Sequence, residues 1–279
     1  MTRGSGEHIG FLGGGHMGRA LVVALLRQGA DPATITVGES DAARRSALAT
    51  ELGIRAVADN LAVAEDAGIL LLAVKPQDMF AALRPLQEVL ARRRPLLISI
   101  AAGLTVAQLR DALGAAGDSP VVRAMPNRPA MLGVGATGLH APPDVSAADR
   151  ARAASVLGAA GMVAWIEDEG LMDAVTAVCG SGPAYFFRLA EALAEAGRAQ
   201  GLPAEVADRL AAATLAGAGA MAAADPHLAA LRESVTSRGG TTAAALAQFE
   251  ADGLGRSVVR AVEAAVVRGR ELAAAASGA

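Results

Sequence analysis

His8-Ile9-Gly10-Phe11-Leu12-Gly13-Gly14-Gly15-His16-Met17-Gly18 sets glycine at the three positions of G-x-G-x-x-G, directly after a short apolar run and directly before an amphipathic segment. Between a strand and a helix, that spacing reads as a dinucleotide-binding turn. Gly13 allows the tight turn, Gly15 lets backbone approach a pyrophosphate, and Gly18 lets the helix pack closely on the strand. His16 and Met17 fall at the helix start, where free amides face an anion.

Working outward, short β-branched runs alternate with amphipathic stretches. Strands are expected at 9–12, 35–38, 69–74, 96–100 and 121–124, with helices at 17–28, 41–52, 77–91, 106–113 and 147–157 and a last strand at 162–166. A strand–helix succession of this kind requires a parallel sheet. Its strands are apolar on both faces, so helices should cover both sides. Beyond Trp165 only helical patterns remain, at 172–178, 181–200, 204–223, 228–235, 242–251 and 255–275. The fold class is therefore α/β: a Rossmann-like, doubly wound sheet in a dinucleotide-binding domain at 1–165, then an all-α dimerisation and substrate domain at 166–279. Alanine dominates the later helices and large side chains are scarce after Phe187. Such helices bury little apolar area alone, so a second copy of the chain is expected to supply the rest, as a homodimer or a higher homo-oligomer.

Composition narrows the functional classes. In 279 residues, 53% are hydrophobic and 19% charged, which describes a globular chain able to fill a core. A net charge of −3 without long basic clusters gives no footprint for nucleic acid or a membrane surface. Arg92-Arg93-Arg94 reads as a solvated helix end. The single cysteine, Cys179, excludes an internal disulfide and suits a reducing compartment. With no apolar signal core and no long apolar run, the expected location is cytoplasmic.

Candidate site residues gather where strands end. Glu39 closes the second strand about 20 residues past the glycines, where an acid can bind an adenosine ribose and repel a 2′-phosphate. Ser40, Arg44 and Arg45 oppose it, since they could attract that phosphate. On these cues Glu39→Gln is expected to improve use of NADPH relative to NADH. Ala73-Val74-Lys75-Pro76 ends the 69–74 strand on the same rim, and Lys75 is the only lysine beside 24 arginines. Asn60 and Ser99-Ile100-Ala101-Ala102-Gly103 share that rim, although Asn60 could instead cap a helix. Met125-Pro126-Asn127-Arg128-Pro129 is too rich in proline to continue a strand and is expected to form a shaped loop there. In the helical half, Val235-Thr236-Ser237-Arg238-Gly239-Gly240-Thr241-Thr242 is a hydroxyl-rich glycine turn that opens a helix, suited to a carboxylate. Glu167-Asp168-Glu169 forms an acidic helix start.

Together, the glycine turn at 13–18, Ala73-Val74-Lys75-Pro76, Ser99 to Gly103, Arg123-Ala124-Met125-Pro126-Asn127, the 173–185 segment and the 235–242 loop resemble pyrroline-5-carboxylate reductase in order and spacing over nearly the whole chain. The resemblance implies reduction of Δ1-pyrroline-5-carboxylate to L-proline, the last step of proline biosynthesis, with NADP(H) favoured and NAD(H) the alternative. It implies that Thr242 bonds the ring nitrogen of the small-molecule substrate as the catalytic residue. Ser237, Gly239, Gly240 and Thr241 would hold the carboxylate, with Glu169 among the substrate contacts. Gly13, Gly15, His16, Met17, Gly18, Glu39, Ser40, Asn60, Ala73, Val74, Lys75, Pro76, Ala101, Ala102 and Asn127 would line the cofactor, and no metal is implied. The chain departs from the family pattern at His16, Arg128, Cys179 and Arg238, where Asn, Thr, Ser and Pro are usual. Two other readings compete: a reductase of another cyclic imine carboxylate and a catalytically silent dinucleotide-binding regulator. A β-hydroxyacid dehydrogenase would need a lysine in the helical half, and none follows Lys75.

Overall fold

The computed structural model describes residues 7–277, and side-chain surroundings through residue 274. In chain order the elements are β1 (Ile9–Leu12), α1 (His16–Arg27), β2 (Ile35–Gly38), α2 (Ala42–Leu52), β3 (Arg55–Val57), α3 (Asn60–Asp66), β4 (Ile69–Leu72), α4 (Met79–Leu83) and α5 (Gln87–Arg93). There follow β5 (Leu96–Ser99), α6 (Val106–Leu113), β6 (Val121–Pro126), β7 (Gly135–His140), α7 (Ala147–Gly158), β8 (Gly161–Trp165) and α8 (Met172–Val175). The remainder is helical: α9 (Gly182–Ala199), α10 (Ala204–Ala224), α11 (Leu228–Ser234), α12 (Thr241–Ala251) and α13 (Leu254–Ser277).

The strands form one eight-stranded sheet in the order β3-β2-β1-β4-β5-β6-β7-β8. All neighbours run parallel except β6 and β7, which pair antiparallel with Arg123 opposite His140. Alternate residues of each inner strand feed two separate cores. Phe11, Ile69, Leu71 and Ile98 pack with α1, α2 and α7, while Leu12, Leu70, Leu72 and Leu97 pack with α3 to α6. Both faces of the sheet are covered by helices, as the apolar runs require.

Four details differ from the sequence reading. β6 continues through Met125 to Pro126, because Pro126 ends the strand opposite Thr137 and needs no further ladder donor. The expected 77–91 helix is broken into α4 and α5 by a 3-10 turn at Arg84–Leu86, where Pro85 removes an amide donor. β7 has two glycines and no apolar run, so no period-2 signal announces it; a side chain at Gly138 would collide with Val175 of α8. β3 is a three-residue edge strand beginning on exposed Arg55.

The chain divides into two compact units, one reaching through Gly180 and taking in the end of α13 from Ala265, the other Ser181–Ala264. The sheet ends at Trp165, but α8 and the π turn Thr176–Gly180 remain with the first unit through bonds from Asn127 and Cys179 to backbone. In the second unit the buried apolar side chains among the described residues are Ala194, Ala207 and Ala211. Phe186, Phe187, Leu210, Val258 and Val259 are all more than half exposed. So much apolar surface left in water is the mark of a protein–protein interface.

Candidate cofactor and substrate site

The β1–α1 turn is shaped by its glycines. Gly13 adopts φ +105°, donates its amide to Gly38 O at 2.8 Å, and would bring an added Cβ to 2.8 Å from Ala73 O. A side chain at Gly18 would strike Gly13 O. Gly15 has open space where a Cβ would stand, and as the N-cap of α1 it offers no side-chain bond. The first amides of α1, at His16, Met17 and Gly18, thus lack a side-chain cap beside open space, which fits a pyrophosphate.

The neighbouring strand ends supply the rest of this rim. Ala73 donates its amide to Leu12 O at 2.8 Å, and Lys75 stands exposed before the 3-10 turn Pro76–Asp78. Ala101 is buried and Ala102 exposed after β5, leaving a small-residue surface for a flat ring. Asn60 is the first residue of α3, not its cap: Asp59 caps the helix by accepting from the Leu61 amide at 2.9 Å. Asn60 Oδ1 lies where a side chain at Gly38 would stand, so the amide group sits against the end of β2.

Two residues expected at the site also hold bonds within the protein. Asn127 donates from Nδ2 to Cys179 O at 3.1 Å and accepts the Ala136 amide at 2.9 Å on Oδ1, tying β6 to β7 and to the π turn. Cys179 donates to Ala136 O at 3.0 Å, and burial pushes its thiol pKa up. Glu169 accepts from Arg123 at 2.7 Å and from the Val106 amide at 2.8 Å. That half-buried pair fastens the acidic turn to β6 and to the start of α6. Neither role had a local signal, because each joins residues far apart in sequence.

Glu39 is also engaged, at 6% exposure. Its Oε1 accepts the Asp41 amide at 2.9 Å and an Arg44 nitrogen at 3.2 Å, and its Oε2 accepts the Gly14 amide at 3.2 Å. Arg45 donates to the carbonyls of Glu39 and Ser40, at 2.8 and 3.1 Å. The Arg44 amide and guanidinium lower the pKa of the capping carboxyl of Asp41.

The hydroxyl-rich loop belongs to the second unit. Gly239 takes φ +70°, and Gly240 donates its amide to Ser237 O at 3.0 Å, with Ser237 Oγ where a side chain at Gly240 would stand. Gly240 is the N-cap of α12 and provides no side-chain cap, so the amides of Thr241 and Thr242 open the helix. An oriented set of donors with a hydroxyl on either side suits a carboxylate. Among the described residues there is no cluster of His, Cys, Asp or Glu able to hold a metal ion. No described helix is long and apolar enough to cross a membrane.

Comparison with known proteins agrees with this arrangement. Residues 169–272 match the family profile for pyrroline-5-carboxylate reductase dimerisation, and residues 8–103 match that of the NADP oxidoreductases that are coenzyme F420-dependent. Pyrroline-5-carboxylate reductase of Pseudomonas aeruginosa is 43% identical over 270 residues, covering 96% of this chain and 98% of its relative. The chain belongs to the pyrroline-5-carboxylate reductase family. The Vibrio alginolyticus enzyme is 42% identical over 95% of this chain and 98% of its own. A solved pyrroline-5-carboxylate reductase from Coxiella burnetii superposes with a TM-score of 0.91 at 37% identity, covering 95% of this chain and 98% of that one. The Plasmodium falciparum pyrroline carboxylate reductase, solved with NADP bound, gives a TM-score of 0.80 at 27% identity, over 96% and 98% of the two chains. In this family member the second unit falls within the dimerisation region, which accounts for its exposed phenylalanines.

Proposed function

We propose that this chain reduces Δ1-pyrroline-5-carboxylate to L-proline, with NADPH as the favoured hydride donor and a homodimer or larger homo-oligomer as the working form. The observation that carries the reading is the uncapped amide cluster of α12, flanked by Ser237 and Thr242, in a chain whose first unit carries the glycine turn. The amides of Thr241 and Thr242, with Ser237 and the Gly239-Gly240 turn, hold the substrate carboxylate. Thr242 Oγ bonds the ring nitrogen and orients the imine. The bound nicotinamide supplies the hydride that the imine carbon accepts, while the nitrogen carries the proton of the product amine. Orientation is then the main task, and a protonated imine needs little further acid catalysis. No His, Cys or metal is required.

In the first unit, the α1 amides hold the phosphates, Asn60 and Ala73 to Pro76, with Lys75 among them, line the dinucleotide, and Ala101 and Ala102 border the nicotinamide. Asn127 and Glu169 contribute as braces of that surface, through the bonds that engage their side chains. A reducing compartment, the cytoplasm, suits the free thiol of Cys179. Thr242→Ala tests the substrate half. It should lower kcat/KM for the imine about ten- to a hundredfold, as loss of one oriented hydrogen bond predicts. Undiminished kcat/KM would remove Thr242 from the mechanism.

A further inference from the structure

At the adenosine end, charge alone gives Glu39 the part of an acid that binds a ribose and repels a 2′-phosphate. Its surroundings support a different part. The side chain is 6% exposed, with little of its carboxylate open to a ribose. Three donors already surround its carboxylate, from Gly14 in the glycine turn and from Asp41 and Arg44 in the β2–α2 connection. The Gly14 bond joins the phosphate-binding turn to the end of β2. The Arg44 bond neutralises the carboxylate and fixes a guanidinium whose side chain is 61% exposed.

The two arginines are therefore not equivalent. Arg45 is committed to the carbonyls of Glu39 and Ser40 and so stitches the connection together. Arg44 has one ion-pair partner, Glu39, while its guanidinium carries five N–H donors on a side chain that is largely exposed. Ser40 is exposed beside it in sequence.

We propose that Glu39 is a positioning residue, which clamps the glycine turn to the β2–α2 connection and holds Arg44 as the cation that selects a 2′-phosphorylated cofactor. The inference rests on the dinucleotide site proposed above and deepens it, since it names the group that discriminates NADPH from NADH. It reverses the effect that charge alone predicts for Glu39. In Glu39→Gln the side-chain NH2 faces a donor amide in either orientation, and Arg44 loses its counter-charge. The turn loosens, the guanidinium is no longer held, and preference for the phosphate declines.

The test uses nucleotide fragments on the full chain without turnover. Calorimetry would measure 2′,5′-ADP and ADP binding to wild type, Glu39→Gln and Arg44→Gln, with the melting temperature of each ligand-free protein. Wild type should favour 2′,5′-ADP by about tenfold or more, the worth of one charge-assisted contact. Arg44→Gln should bring the ratio close to one, chiefly by weakening 2′,5′-ADP, with a small drop in melting temperature because the Glu39 carboxylate loses its counter-charge. Glu39→Gln should melt lower, bind both fragments more weakly, and show a smaller ratio than wild type. A ratio that rises or stays constant in Glu39→Gln overturns the positioning role, since a repelling carboxylate predicts a rise. An unchanged ratio in Arg44→Gln overturns the assignment to Arg44. If wild type binds neither fragment, the dinucleotide site itself is wrong and the inference fails with it.

Discussion

Cys179 lies in the π turn, and its surroundings show how a thiol is held there. Sγ donates to Ala136 O from a half-buried position in the π turn, a bond that a serine could also make. Burial raises its pKa above the ordinary thiol value of 9.0. The folded state therefore keeps its proton at a pH where the unfolded chain has lost it, so stability falls as pH rises beyond 9.0. Denaturant titrations from pH 8 to 10 should show a steeper loss for wild type than for Cys179→Ser; parallel curves would mean the thiol is unperturbed. At the same scale, the shape of the glycine turn and the uncapped start of α12 were legible in the sequence because each belongs to a contiguous motif. The tasks of Asn127, Glu169 and Glu39 were not, because each depends on partners from distant segments or on burial that a motif does not encode.

Among elements, those with strong periodicity or an apolar run were readable: β1, β4, β5, α1 and the long helices lie within a few residues of expectation. β7 was hidden because its glycines serve packing instead of patterning. Gly138 lies under Val175, so β7 can pass beneath α8 only without a side chain there. Gly138→Ala should cost about 1–3 kcal/mol through overpacking, read as a lower denaturation midpoint at constant m-value. An unchanged midpoint would show that α8 yields easily. The same packing explains why the compact unit extends past Trp165: α8 and the π turn lie on the strands that β7 adds to the sheet.

At the level of the whole molecule, the second unit has three buried alanines as its apolar core and many exposed large side chains. Helices of this composition need a partner surface for stability. Light scattering should give at least twice the 27.8 kDa chain mass, and Phe186→Asp with Phe187→Asp should shift the protein toward monomer with loss of activity. A wild type that is monomeric and active at micromolar concentration would contradict the assembly. The most direct measurement is of the reaction itself. Purified protein should oxidise NADPH only when Δ1-pyrroline-5-carboxylate is present and form L-proline in equal amount. No turnover of the imine, with turnover of a 2-hydroxy acid instead, would contradict it.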